Sequence, residues 1–492
     1  MNILLTHSYF LKFDPKEYRA MMPYPPLGTL YAAAVVREAG HTVSVFDSML
    51  ADSEDEIEAK IITVKPDCVV IYDDDFNYLT KMCLTRMRQA ACRITQIAKK
   101  HGCMVIVHGS DPTDHLDLYF DAGVDCILVG EAERTLQEFL DNLENNSGIN
   151  AEQIAGVAYR DNNGRVIRGP QRKVLRELDQ LPMPARDLVN IEQYRRLWQK
   201  HHGYFSLNIA TTRGCPFHCN WCAKPLYGQI YSSHSPARIA AEVQHLQQTW
   251  NPDHIWMCDD IFGLKPGWIE EFATEIEKRN AAIPFKCLSR ADLLLRPGIV
   301  DALRRAGCRT VWMGAESGAQ KILDAMDKGT TVEQIANATT RLRNAGINVG
   351  YFLQFGYPGE HYPEIKQTIA MVRKNLPDEI GISVSYPLPK TPFYERVRSE
   401  MGEKQNWSES ADLAMMFQGA FSTKFYRVLA AYVHKDHRFR LGLNGLKKVF
   451  IEPKILLSAI GRRIALMPYY LVSTWYRMIQ MKFVSREPNG NF

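Results

Sequence analysis

Short apolar runs alternate with longer amphipathic stretches through the first third of the chain. Asn2–Thr6, Val43–Phe46, Val69–Tyr72, Met104–Val107 and Cys126–Val129 read as strands. Leu27–Ala39, Leu84–Lys100 and Arg134–Leu143 carry helical periodicity, the first closed by Gly40. Strands that alternate with helices of this length predict a parallel sheet covered on both faces. Residues 1–145 therefore read as a doubly wound, Rossmann-like α/β domain.

The rhythm changes over residues 146–200. Val157–Arg168, with Asn162-Asn163-Gly164 at its centre, reads as a hairpin, and Leu181-Pro182-Met183-Pro184 as an extended linker. This stretch is taken as the domain connection. Residues 201–400 return to the β/α pattern, with candidate strands Ser206–Thr211, His254–Cys258, Phe285–Ser289, Thr310–Gly314, Val349–Gln354 and Ile380–Ser385. Six such units predict a partial, open TIM-type barrel with its chemistry in the loops after the strands. Residues 401–492 are mostly helical in pattern, interrupted by Pro453 and Pro468.

Composition narrows this picture. The chain has 492 residues, 46% of them hydrophobic, enough to bury a sizeable core. At about 100–200 residues per domain, that length accommodates two to four domains. A formal net charge of only +4 offers no global field for nucleic acid. The charge is uneven, however: residues 401–492 hold 14 Lys and Arg against 6 Asp and Glu. A basic tail on a mildly acidic body predicts a separate partner for the tail. The 11 cysteines are an odd number, mostly single within predicted elements. No leader-like opening and no apolar run of about 18 residues is visible. A reduced, cytoplasmic protein without disulfides is the expectation.

Thr211-Thr212-Arg213-Gly214-Cys215-Pro216-Phe217-His218-Cys219-Asn220-Trp221-Cys222 is the most informative segment. Three cysteines follow a predicted strand directly, and Gly214 and Pro216 favour a loop that turns them toward one centre. Three readings are open: zinc with His218 as fourth ligand, unliganded cysteines, or an iron–sulfur cubane with one iron left for a small molecule. The C-x3-C-x-aromatic-C pattern resembles the signature of the radical S-adenosylmethionine superfamily. That resemblance implies a [4Fe–4S] cluster on Cys215, Cys219 and Cys222, with the open iron chelating the amino and carboxylate groups of S-adenosylmethionine. Trp221 would then pack near the adenine.

Later segments resemble successive landmarks of the branch that carries a cobalamin-binding domain. They are Met257-Cys258-Asp259-Asp260, Ser289-Arg290-Ala291-Asp292, Gly314-Ala315-Glu316-Ser317-Gly318, Lys328-Gly329-Thr330, Gly356-Tyr357-Pro358-Gly359-Glu360 and Tyr386–Pro392. On this basis Asp259, Asp260, Arg290, Glu316 and Ser317 are candidate S-adenosylmethionine contacts. Competing readings are that Asp259 and Asp260 cap the next helix, and that Glu316 pairs with Arg290. Lys390 stands where the family usually has glycine. No catalytic residue is assigned.

In the first domain, loops at strand ends carry Pro26-Leu27-Gly28, Asp73–Asp75, Gly109-Ser110 through Thr113, and Gly130-Glu131. Small residues there let a flat ligand approach the backbone. The order of these turns resembles the cobalamin-binding domain of the same branch, which makes Pro26, Gly28, Gly109, Ser110, Thr113, Gly130 and Glu131 candidate cobalamin contacts. No Asp-x-His-x-x-Gly motif is present, so cobalt ligation by that histidine route is not expected; His7, His41, His108 and His115 read as structural or solvent-facing. Nor is there a G-x-G-x-x-G or a phosphate-loop motif.

The resemblance implies an enzyme that functionalises a C–H bond, by methyl transfer to carbon or by oxidative cyclisation of the anaerobic magnesium-protoporphyrin ester cyclase type. A non-catalytic cobalamin or iron–sulfur sensor is the reading from another class. The implied partners are a small-molecule substrate, lipid-like or tetrapyrrole, and an electron donor such as flavodoxin or ferredoxin. The tail interleaves Lys447, Lys448, Arg462, Arg463, Arg477 and Lys482 with Phe450, Leu456, Leu457, Tyr469, Tyr470, Trp475 and Tyr476. It reads either as a helical cap or as a peripheral membrane contact.

Overall fold

The computed structural model describes residues 1–145, 153–224, 226–449 and 459–485. They form two compact units. One draws on residues 1–217, 223–287 and 406–412, and the other on 218–222, 288–405 and 413–492.

The first unit contains a seven-stranded sheet: β1 Asn2–Thr6, β2 Thr42–Val45, β3 Cys68–Tyr72, β4 Met104–His108, β5 Cys126–Leu128, β6 Val157–Arg160 and β7 Val166–Arg168. Their order is β2-β1-β3-β4-β5-β6-β7. The first five pair in parallel, with Leu4 opposite Val69, Val69 opposite Val105 and Ile106 opposite Cys126. Their near-continuous apolar runs match a sheet buried on both faces. Ile3, Leu5, Val70 and Ile106 point to one face and pack with Leu30, Ala33 and Leu136. Leu4, Val69, Ile71 and Val105 point to the other, with Ile57, Ile94 and Tyr119. Each such fully buried Leu or Ile contributes about 1.5–3 kcal/mol. The chain reverses direction across the sheet between β1 and β3, which sets a switch point at their carboxyl ends.

The hairpin expected in the domain connection instead extends this sheet. β6 pairs antiparallel with β5, Leu128 opposite Val157, and β7 with β6. Val157 and Ala158 are buried, so they continue the core and leave polar β7 at the edge.

The second sheet comprises β8 Ser206–Ile209, β11 His254–Met257, β12 Phe285–Ser289, β13 Cys308–Glu316, β14 Asn348–Phe355 and β15 Glu379–Val384. The order is β15-β14-β13-β12-β11-β8. The β8–β11, β11–β12, β13–β14 and β14–β15 ladders are parallel, the open six-strand arrangement expected. Between β8 and β11 lies a ribbon absent from the sequence reading, β9 Thr212–Arg213 antiparallel to β10 Ser232–Ser233. Lys390, at the usual glycine position, has φ 62°, the left-handed conformation that glycine enters without strain.

The C-terminal region is helical over Thr423–Val449, Ala459–Ala465 and Met467–Val484. Pro468 occupies the first turn of the last helix, where its missing N–H is harmless. Pro453, Phe450, Leu456 and Leu457 lie outside the described residues, as do the side chains of Lys447 and Lys448. No described helix is long and apolar enough to cross a membrane.

Candidate functional site

The cysteine loop leaves the first unit through a rigid stem. Thr211 N–H and Thr212 N–H donate to Asp259 Oδ1 at 2.7 and 2.8 Å, and Thr211 Oγ1 donates to Oδ2 at 2.6 Å. Burial pushes the Asp259 carboxyl up to about 7 against these hydrogen bonds. Asp259 thus ties the end of β8 to the end of β11. Asp260, half exposed, forms an ion pair with Lys81 at 2.6 Å. The structure gives both aspartates protein partners within this unit.

Arg213, the next residue of the stem, is buried and held by two carboxylates. Its Nη1 pairs with Glu131, and its Nη2 lies 2.6 Å from Glu133 Oε1. The rings of Tyr31, Phe76 and Tyr227 surround the guanidinium at 5.5, 5.7 and 5.5 Å. Glu131, a candidate cobalamin contact, has both carboxylate oxygens engaged within the protein: the second accepts from Leu175 N–H. Burial raises both acids, and the Arg213 charge outweighs it at Glu133, which ends below the usual carboxylate range. Gly214 then turns the chain at φ 73°. A Cβ there would overlap the Ile230 carbonyl oxygen, so only glycine fits.

Cys215, Cys219 and Cys222 are half-buried, as is the isolated Cys92, whereas Cys68, Cys83, Cys103, Cys126, Cys258, Cys287 and Cys308 are buried. Desolvation pushes the Cys68 thiol up to about 12 and those of Cys83, Cys126 and Cys258 well above the usual range. Metal ligation needs thiolate, so burial disfavours these four as ligands. The zinc reading needs His218 as a fourth ligand. His218 is exposed, and no group of three His, Cys, Asp or Glu that could hold one metal ion occurs among the described residues. A cubane differs because each cysteine binds a different iron.

The second half of the loop belongs to the other unit. Asn220 anchors it: its N–H donates to the Met326 carbonyl at 3.1 Å, and its side-chain amide to the Ala325 carbonyl and Asp327 at 2.8 and 2.9 Å. Tyr357 Oη donates to Asn220 Oδ1 at 2.7 Å. Beside this anchor, Lys328 Nζ lies 5.8 Å from the Trp221 ring centroid and 2.8 Å from Glu316 Oε1. Burial works against the Lys328 charge, but Glu316 outweighs it and the ammonium pKa rises.

Glu316 therefore pairs with Lys328 and not with Arg290. Arg290 donates to the Lys328 carbonyl at 2.9 Å and to Asp292 at 3.0 Å. Gly314 leaves room for the ion pair, since a Cβ would lie 2.5 Å from Lys328 Nζ. Ser317 Oγ meets Thr368 Oγ1 at 3.1 Å and accepts from Ala319 N–H, a turn-forming role. Trp221 Nε1 is buried without a hydrogen-bond partner, a donor open to a ligand.

At the first sheet's switch point, Pro26 begins the helix Leu27–Glu38, and Gly28 N–H donates to Asp74 Oδ1 at 2.8 Å. Gly109 has φ 153°, and a Cβ would lie 2.9 Å from Asp73 Oδ2. Thr113 Oγ1 donates to the Gly109 carbonyl at 2.8 Å, and the Gly130 carbonyl lies 2.9 Å from His108 Nε2. Ser110 Oγ, Asp75 Oδ1 and His108 Nδ1 are buried with no partner. Burial raises Asp75 well above the carboxylate range and lowers His108 to about 4, so the imidazole is neutral at pH 7. These partnerless atoms and close-packed glycines fit a flat ligand with a hydrogen-bonding rim, as cobalamin has.

Arg213, Glu133, Lys328, Asp75 and His108 are not marked as site residues by the sequence. Lone charges beside glycines were the available signal, and partnership across many residues is not visible in one sequence.

Residues 209–372 match the model of the radical SAM superfamily, and residues 20–140 that of the B12 binding domain. An uncharacterized methyltransferase of Pyrococcus horikoshii is 27% identical, over 87% of this chain and 94% of its own length. The anaerobic magnesium-protoporphyrin IX monomethyl ester cyclase of Rubrivivax gelatinosus is 25% identical, over 77% of this chain and 67% of its own. The cobalamin-dependent S-adenosylmethionine radical enzyme OxsB, solved with aqua-cobalamin and S-adenosylmethionine, superposes with a TM-score of 0.70 at 15% identity. That match covers 98% of this chain and 80% of OxsB, and it shows a shared fold.

Proposed function

We propose that this chain, which belongs to the radical S-adenosylmethionine superfamily in its branch with an N-terminal B12-binding domain, is a cobalamin-dependent enzyme that functionalises a C–H bond, by methyl transfer to carbon. The observation that carries this reading is the cysteine loop. Three half-exposed thiols with no fourth in the motif sit on a stem fixed by Asp259, Glu131 and Glu133 and an anchor fixed by Asn220. Cys215, Cys219 and Cys222 would hold the cluster, and Trp221, Arg290, Glu316 and Ser317 would border S-adenosylmethionine. Pro26, Gly28, Gly109, Ser110, Thr113 and Gly130 would cradle cobalamin. When bound, these cofactors supply a 5′-deoxyadenosyl radical and a transferable methyl group.

The residues around them orient and shelter. Lys328 keeps a positive charge beside Trp221, which favours anionic thiolate ligands nearby. Glu316 fixes that ammonium in place. Ser110 can donate a hydrogen bond to an amide-rimmed ligand, and Asp75 Oδ1 can accept one.

The substrate class we favour is an apolar or tetrapyrrole small molecule. A hopanoid C-3 methylase of Methylococcus capsulatus, 26% identical over 74% of the chain, and the cyclase above act on such compounds. Oxidative cyclisation is the second reading, favoured by the 25% identity to the cyclase of Rubrivivax gelatinosus over 77% of this chain. Reduction of the cluster calls for a flavodoxin or ferredoxin. We assign the protein to the cytoplasm, with peripheral membrane contact through its C-terminal helices.

Anaerobic reconstitution with reductant and S-adenosylmethionine tests this. The expected products are 5′-deoxyadenosine or S-adenosylhomocysteine, lost in Cys219→Ala. A loaded cluster that yields neither product with candidate substrates would favour a sensor.

A further inference from the structure

We propose that the last helix, Met467–Val484, is a docking face for an anionic membrane surface, lying in the lipid interface. This rests on the peripheral-contact part of the reading above and narrows it to one helix face and one lipid chemistry. Tyr470, Met481 and Val484 are buried, and the helix packs against Thr423–Val449. Away from that contact Val472, Tyr476 and Phe483 recur at helical spacing, with Trp475 beside them, while Tyr469 at the start of the helix accepts a hydrogen bond from Lys435 of Thr423–Val449 at 2.9 Å. Trp475 is 62% exposed and Phe483 68%. Single exposed apolar residues are ordinary; a contiguous stripe marks an interaction surface.

Composition and charge identify the occupant. Trp475 and Tyr476 are apolar rings with polar tips, the type that settles at headgroup depth. No Asp or Glu occurs between Pro453 and Arg486. The described part of that stretch holds Arg462, Arg463, Arg477 and Lys482, of which Arg462 and Lys482 are exposed. An aromatic face flanked only by cations complements anionic headgroups, and each basic residue near such a surface strengthens binding about fivefold. A second copy on the same face would bring like charges together. Since no described helix is long and apolar enough to span, the helix lies along the surface.

Flotation of the full chain with vesicles tests this. The protein is expected to float with mixed phosphatidylglycerol–phosphatidylcholine vesicles at roughly 0.1 M salt. It should bind pure phosphatidylcholine at least about tenfold more weakly and be released at about 1 M salt, where screening shortens to roughly 3 Å. Val472→Glu/Trp475→Glu should stay unbound while retaining wild-type iron and cobalamin content. Arg462→Glu/Lys482→Glu should lose the preference for anionic lipid. Wild type remaining unbound with anionic vesicles, or equal flotation of the first variant, would overturn the proposal. So would a wild-type dimer that the variant dissolves. A chain that loads both cofactors but does not float sinks the docking face alone; one that floats without loading sinks the enzyme reading alone.

Discussion

Replacing Arg213 with methionine removes the charge that two buried carboxylates share, while keeping apolar bulk among Tyr31, Phe76 and Tyr227. The Arg213 and Glu133 side chains are 3% and 4% exposed and that of Glu131 7%, so water cannot replace the lost partner. Breaking a buried ion pair from one side costs about 3–5 kcal/mol, because an uncompensated charge stays behind. That is a large share of a typical stability of about 5–15 kcal/mol. At a urea slope of about 3 kcal/mol/M, the midpoint of the apoprotein should fall by about 1–1.7 M at neutral pH. The deficit should depend on pH. In the wild type Glu133 is held below its ordinary pKa, so its stabilisation is present above about pH 4.3 and fades as pH falls through the lowered value. Without Arg213, burial alone acts and both acids rise above about 4.3. Their penalty is then full at high pH and relaxes on acidification. Arg213→Met should therefore lag the wild type less at pH 5 than at pH 8. Adding Glu131→Gln and Glu133→Gln should recover most of the loss. A midpoint within about 0.3 M of wild type, or equal deficits at pH 5 and pH 8, would refute the reasoning.

Gly214→Ala forces a left-handed alanine onto the Ile230 carbonyl; it should cost about 1–3 kcal/mol and lower reconstituted iron content, read by colorimetric iron assay. Glu360 is buried and pushed up to about 8. Its protonated form therefore favours folding: that contribution is full below about pH 4.3 and is lost progressively as pH rises through about 8. Glu360→Gln should match wild-type stability near pH 4 and lose the decline between about pH 5 and pH 8 in thermal melts. Asp259→Asn turns an amide toward the Thr211 or Thr212 N–H; it should destabilise by about 1–3 kcal/mol in urea titration.

The fold was legible because its strands are short apolar runs with regular helical spacers. The hairpin Val157–Arg168 was legible as a hairpin but not as part of a sheet, since pairing with β5 depends on edge exposure that periodicity does not encode. The three cysteines stood out because their spacing, with an aromatic before the last, resembles a family signature contained within eight consecutive residues. The partners of charged residues did not: Glu316 reaches Lys328 twelve positions on, and Arg213 reaches Glu131 eighty-two positions back. Such pairs form only once strands bring distant loops together. Glu131 shows the consequence. A glycine–glutamate turn at a strand end reads as a ligand contact, yet its carboxylate is engaged by Arg213 and Leu175.

Cys215, Cys219 and Cys222 are proposed to hold a cluster with one iron open to S-adenosylmethionine. Electron paramagnetic resonance of the anaerobically reconstituted, reduced protein is the decisive measurement. A [4Fe–4S]+ signal is expected that shifts when S-adenosylmethionine is added and is absent in Cys219→Ala. A signal indifferent to S-adenosylmethionine, or one that survives in Cys219→Ala, would contradict it.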